Sequence, residues 1–217
     1  MANLIGVMGE SGSGKTTSLE TLDPKTTFYI NSDKKNLPFR KEIRIKYSEA
    51  NKNYFKTDNQ ETVLNILKKI NTQENMKHVK TIVIDTINGI MVADESRRRR
   101  EKSYDKWSDL AWAVYDIIDY ALEMRDELTV ILLAHCQTVM NDDGYSFTRI
   151  KTSGKKLDKI GIETKLTTVL YSKALPDGRF VFETHASNST AKTPRGVFEG
   201  NEIPNDMSAV LKRLEEF

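Results

Sequence analysis

Gly9-Glu10-Ser11-Gly12-Ser13-Gly14-Lys15-Thr16 spells G-x-x-x-x-G-K-[ST] between an apolar run, Leu4 to Met8, and a helical-looking Thr17 to Leu22. The glycines let the backbone turn tightly and aim successive amides inward, so a polyphosphate can rest on those donors and on the positive end of the following helix. The chemistry this pattern supports is binding of a nucleoside triphosphate. Gly9, Glu10, Ser11, Gly12, Ser13, Gly14, Lys15, Thr16 and Thr17 are the candidate cofactor-binding residues. Lys15 is expected at the β- and γ-phosphates and Thr16 as a ligand of Mg²⁺, with ATP as the nucleotide.

A phosphate loop next requires a carboxylate to hold the metal ion opposite the loop hydroxyl. Asp85 ends the apolar run Thr81-Ile82-Val83-Ile84 and fits that role; the alternative is an aspartate that only caps the following turn. Hydrolysis also needs a group to orient or deprotonate water. Asp33, at the end of the strand after the loop, is the first candidate, and Glu10 and Glu49 are further ones. His135 and Gln137 end the run Thr129 to Ala134, where a polar side chain can sense the γ-phosphate; His135 is preferred. Cys136 between them reads as a small buried hydrophobe. Lys15, Asp33, Asp85, His135 and Arg195 form the candidate catalytic set, and Thr16 and Asp85 the candidate metal ligands.

Two basic stretches can meet a polyanion. Arg149, Lys151, Lys155, Lys156 and Lys159 follow the sensor strand against one acid, Asp158, with Tyr145 and Phe147 just upstream; they could track a phosphate backbone and stack bases, or form a solvated loop. Arg97 to Arg100 form a second cluster, diluted by Glu95, Glu101 and Asp105. Lys192 and Arg195 lie in a late loop from which a cation could reach a neighbouring subunit's nucleotide.

The elements that must position these groups follow from periodicity. Thr26 to Ile30, Thr81 to Asp85 and Thr129 to Ala134 read as strands, the last two as central parallel strands buried on both faces. Ile43, Ile45 and Tyr47 alternate as in a short strand, and His135 to Gln137 are placed at a strand end. From Asp58, taken as a cap, Val63, Leu64, Ile66, Leu67 and Ile70 mark a helix face; Leu110 to Met124 mark another. Asp94 to Lys106 and Asn141 to Lys159 read as polar connections, the latter turn-prone. Leu166 to Lys173 and Arg179 to Thr184 flank the turn Leu175-Pro176-Asp177-Gly178 as an antiparallel hairpin, Asn188 to Gly200 reads as a loop and Asp206 to Phe217 as a short helix. The predicted fold class is α/β: a mostly parallel central sheet flanked by helices, with an antiparallel hairpin at one edge.

The 217 residues suit a single domain over 1–217, and a net charge of +2 singles out no partner. One cysteine, no leader-like N-terminus and no apolar stretch of the roughly 18 residues that span a bilayer predict a reducing, cytoplasmic setting without a membrane segment.

With these residues on the page, the chain resembles the RecA-like ATPase core. The phosphate loop, Tyr29-Ile30-Asn31-Ser32-Asp33, Ile82-Val83-Ile84-Asp85-Thr86 and Leu132-Leu133-Ala134-His135-Cys136-Gln137 stand in its order and spacing. More closely it is similar to the short bacteriophage RecA-like P-loop proteins, the Sak-type recombination ATPases, over residues 3–200, including Phe182-Glu183-Thr184 and Ala191-Lys192-Thr193-Pro194-Arg195-Gly196-Val197-Phe198. The resemblance implies a Mg²⁺-dependent, DNA-stimulated ATPase acting on single-stranded DNA in phage recombination. It puts Asp33 in the place of the family's catalytic glutamate and His135 nearest its γ-phosphate sensor. It starts a DNA-binding loop around Thr138 and offers Lys192 or Arg195 to the next subunit's nucleotide. The partners it implies are single-stranded DNA, further copies of the chain with nucleotide at subunit interfaces, and a single-stranded DNA-binding protein; the setting is the bacterial host cell's cytoplasm. A helicase or loader motor, a small-molecule nucleotide kinase and a non-hydrolysing scaffold are the alternatives.

Overall fold

Strands buried on both faces make the centre of this molecule a sheet. In the computed structural model, residues 1–101, 105–141, 143–152 and 161–217 are described, without the side chains of 105–108, 110 and 111. The strands are β1 (Asn3–Gly9), β2 (Thr27–Asn31), β3 (Tyr54–Lys56), β4 (Thr81–Asp85), β5 (Thr129–Met140), β6 (Ser146–Ile150), β7 (Thr168–Ala174), β8 (Phe180–Glu183) and β9 (Glu202–Pro204). The helices are α1 (Lys41–Arg44), α2 (Gln60–Thr72), α3 (Ile87–Arg97), α4 (Asp105–Leu122) and α5 (Met207–Glu215). The strands order as β3-β2-β4-β5-β1-β7-β8-β9, with β6 off this path, paired to β5 and bridged at Thr148 to Ser189. From β3 to β7 all pairings are parallel, and β8, β9 and β6 join antiparallel. This is the mostly parallel α/β sheet with an antiparallel edge that the periodicity predicts.

Side chains of successive strand residues point to opposite faces. Ile82, Ile84, Val130, Leu132 and Ala134 pack with residues of α2, α3 and α4 on one face, whereas Val83, Ile131, Leu133, Ile5 and Val7 meet Leu19, Met207 and Val210 on the other. Helix α2 buries Val63, Leu67 and Ile70, and its cap is Asn59, whose side chain accepts from the Thr62 amide at 2.9 Å. The cap thus falls one residue after Asp58, which instead pairs with Lys34 and Arg97. The β7–β8 hairpin and the terminal helix form where expected.

Three expectations need correction. The segment after the phosphate loop is one 3₁₀ turn, Thr17–Thr21, because Asp23-Pro24 cuts off any longer helix. Ile43, Ile45 and Tyr47 are not a strand: Lys41–Arg44 is helical, Ile45 is exposed and only Tyr47 is buried. Finally, His135 to Gln137 do not end a strand. β5 runs on to Met140 because Cys136 to Met140 pair with Ser146 to Ile150, closed by a turn in which the Asn141 amide donates to the Tyr145 carbonyl at 2.9 Å. The stretch from Thr138, expected as a loop, is therefore a hairpin arm, and Arg149 is a strand residue.

Ile131, the third residue of β5, has no exposed surface. Ile131→Ala should lower unfolding free energy by about 2–5 kcal/mol, read as a shifted midpoint in urea denaturation.

Candidate functional site

The phosphate loop leaves the C-terminal end of β1, where Gly9 is paired with His135 on one side and Ser172 on the other. Room there is scarce: a Cβ on Gly9 would fall 2.6 Å from the Ser172 carbonyl oxygen. Gly14 has φ +91°, and a Cβ on it would meet the Phe180 ring at 2.8 Å, so both its conformation and its surroundings require glycine. The loop is braced from behind. Ser172 Oγ donates to the Ser13 carbonyl at 2.7 Å and accepts from Asn205 Nδ2 at 3.1 Å.

The amides of Gly12, Gly14, Lys15 and Thr16 have no acceptor among the described residues. They edge a cavity of about 400 Å³ lined also by Lys35, Asn36, Thr86, His135 and Phe180. Unspent backbone donors around a concave space suit an anion. The Lys15 ammonium is buried and donates to the carbonyls of Gly9 at 2.8 Å and Glu10 at 2.7 Å. Burial holds it below its ordinary pKa, against the opposing pull of Cys136 and Asp85.

Asp85 lies beneath the loop, nearly fully buried. Its Oδ2 accepts from Thr16 Oγ1 at 3.0 Å and from the Tyr29 hydroxyl, and its Oδ1 has no partner among the described residues. Desolvation raises its pKa, and the hydrogen bonds from Tyr29 and Thr16 only partly oppose that. Tyr29 is in turn held by edge-on contacts with Phe39 and Tyr47, ring centroids 6.2 and 5.7 Å away. A buried carboxylate with one oxygen free, beside a threonine hydroxyl, is a hard oxygen donor set that fits Mg²⁺.

Asp33 stands beside this pair. Its Oδ1 accepts from Thr86 Oγ1 at 2.9 Å and its Oδ2 from Lys35 Nζ at 2.8 Å, while its amide donates to the Asp85 carbonyl at 3.3 Å. Burial would raise the Asp33 pKa, but the bonds from Lys35 and Thr86 prevail and hold it low, so the group is an anion at neutral pH. Of the other two acids, Glu10 Oε1 receives Cys136 Sγ at 3.2 Å and Glu49 lines a separate cavity under β3 and α2. Cys136 is buried as expected, its thiol pushed up to about 12 by burial and Glu10.

His135 faces the cavity from β5. Burial and the nearby Lys15 ammonium hold its imidazole below the usual value, hence neutral near pH 7. Its amide donates to Asn88 Oδ1 at 2.7 Å, Asn88 Nδ2 donates to the Lys151 carbonyl at 2.8 Å, and the Lys151 amide donates to the His135 carbonyl at 2.8 Å. One side chain on the first turn of α3 thus ties the cavity strand to the exit of the hairpin.

Lys15, Thr16 and His135 therefore line one cavity, with Asp85 bonded to Thr16 and Asp33 to Lys35 and Thr86 of the same lining. Lys192 and Arg195 do not join them. Lys192 pairs through its backbone with Val169, which is in register with Gly6 in the middle of β1, and Arg195 is exposed. Arg149 pairs with Gln137 across the hairpin, and Lys151 is exposed. Lys155 and Lys156 lie outside the described residues. In the arginine run, Arg97 and Arg98 are engaged with Asp58, Glu101 and Asp109. Sequence reasoning misses Tyr29, Lys35, Asn88, Ser172, Phe180 and Asn205. The apolar and aromatic run of β2 could have hinted at Tyr29, and Lys35 lies only two residues from Asp33, but the others act through partners far along the chain.

Compared with known families, residues 2–195 match the AAA domain. No curated protein matches the chain.

The raised Asp85 pKa has a definite sign. Between the unfolded value near 3.8 and the higher native one, the native state binds more protons than the unfolded chain, so stability falls as pH rises through that window. At pH 7 without nucleotide or divalent ions, Asp85→Asn should therefore melt at a higher temperature than wild type in calorimetry. Adding Mg²⁺ with nucleotide should raise the wild-type midpoint and leave that of the variant nearly unmoved.

Proposed function

The chain belongs to the AAA domain family, a nucleotide-binding, ATPase type of domain, and from that premise we propose that it hydrolyses ATP and acts on single-stranded DNA in phage recombination, as the Sak-type RecA-like proteins do. The loop amides and Lys15 hold the β- and γ-phosphates. Thr16 and Asp85 would hold Mg²⁺, which when bound would neutralise charge growing on the phosphate oxygens. Asp33 orients the attacking water and accepts its proton, and neutral His135 hydrogen-bonds the γ-phosphate.

The observation that carries the link to DNA is the continuity of β5. The strand that presents His135 to the cavity continues unbroken into the hairpin bearing Arg149, and Asn88 joins His135 to Lys151. A change at the γ-phosphate can thus bias where the hairpin and its cations stand. Arg149 and Lys151, with Lys155 and Lys156, meet the DNA phosphates, and Tyr145, which is 73% exposed, offers a stacking face. Arg195 or Lys192 completes the site of an adjoining copy, so the working form is an oligomer with nucleotide between subunits. It works in the host cytoplasm beside a single-stranded DNA-binding protein; no helix among the described residues is long and apolar enough to cross a membrane.

Fluorescence anisotropy with labelled single-stranded DNA tests this reading. DNA should bind more tightly with ATP than with ADP or no nucleotide, and equal affinity in all three states would overturn it. Lys15→Ala should abolish ATP turnover. Arg149→Ala with Lys151→Ala should weaken DNA binding and flatten its salt dependence by about 0.7 in the log–log slope per lost phosphate contact. His135→Ala should keep ATP binding while removing the difference in DNA affinity between ATP and ADP.

A further inference from the structure

Lys35 brings a second ammonium to the cavity from a place the phosphate-loop motif does not specify. The chain leaves β2 at Asn31 and turns at Lys34, whose φ is +57°. Asn31 Nδ2 then fixes the Lys35 carbonyl at 2.6 Å. The backbone is anchored, while the side chain stays 52% exposed and lines the cavity with Ser13, Lys15, Thr16 and His135. Its ammonium is spent on Asp33 Oδ2 at 2.8 Å, and Thr86 takes the other oxygen of that carboxylate at 2.9 Å. Both oxygens of the candidate base are therefore occupied. An oxygen that accepts from an ammonium is a poor acceptor for the proton of an attacking water.

We propose that Lys35 is a latch on Asp33 that a γ-phosphate opens. Without a γ-phosphate the ammonium holds Asp33 Oδ2; a γ-phosphate, carrying more charge at the same cavity, takes the ammonium and leaves that oxygen open to water. ADP, lacking the γ-phosphate, leaves the latch shut. With it open, the water oxygen bonds to the γ-phosphorus as the bond from phosphorus to the β–γ bridging oxygen breaks. The electron pair of that bond leaves on ADP, and the water proton passes to Asp33 Oδ2. The latch rests on the reading of this cavity as an ATP site, and it adds a residue that distinguishes ATP from ADP before any chemistry occurs.

Isothermal titration of the full chain with Mg²⁺–ADP and with a Mg²⁺-bound non-hydrolysable ATP analogue tests it. Lys35→Gln should weaken the analogue about tenfold, the scale of one charge-assisted hydrogen bond, and leave ADP within about twofold. Lys35→Arg should retain the preference. Asp33→Asn should tighten the analogue several-fold, because the ammonium no longer has to leave a carboxylate, and the double variant should match Lys35→Gln. A purely structural Lys35 moves both nucleotides alike. Equal loss of both, no loss of either, or a weaker analogue in Asp33→Asn would overturn the latch and leave the ATP site standing. Failure of the wild type to bind either nucleotide would overturn both.

Discussion

A carboxylate buried at the centre of the sheet is the constraint around which the rest is arranged. Asp85 ends a strand with 1% of its surface exposed, and burial alone would favour the neutral acid. Its surroundings compensate only in part: Tyr29 and Thr16 donate to one oxygen and the other is left open. Tyr29 can donate there because Phe39, Tyr47 and Tyr54 ring it. Much of the weakly patterned segment between β2 and α2 therefore serves to hold one hydroxyl against one carboxylate. A site with an unmet acceptor is less stable empty than filled, which suits a protein whose state is set by a ligand.

Parallel pairing converts that local arrangement into a row. Asn31 is in register with Asp85, Asp85 with Leu133, and Gly9 with both His135 and Ser172. Groups far apart in the chain thus open onto one end of the sheet, where doubly wound sheets hold their ligands. β5 differs from its neighbours in continuing past this row, and its extension leaves the plane of the parallel strands to pair with β6. The Asn88 side chain is what keeps the extension in fixed relation to the row.

How much of this is legible in the chain depends on how local its cause is. The phosphate loop, β1, β4 and the β7–β8 hairpin are written in short stretches: glycine spacing, apolar runs buried on both faces, a Pro-Asp-Gly turn. Asp85 is legible too, because a carboxylate closing three consecutive apolar strand residues, Ile82 to Ile84, needs a reason. The alternation of Ile43, Ile45 and Tyr47 misleads, since Tyr47 is buried by a tertiary contact with Tyr29 while Ile45 is left in water. The end of β5 misleads for the same reason, because polar residues there are held extended by the partner strand β6. Tyr29 meets Asp85 across 56 positions and Asn88 meets His135 across 47, so no window of sequence contains either pairing.

The brace behind the phosphate loop bears on how the protein is made. Ser13 is held by Ser172, 159 positions later, and Ser172 by Asn205, while Phe180 stands against Gly14. The loop is therefore braced only once residues supplied 159 and more positions later are in place. A chain without those later residues keeps the glycine-rich loop but lacks the contacts that hold its shape.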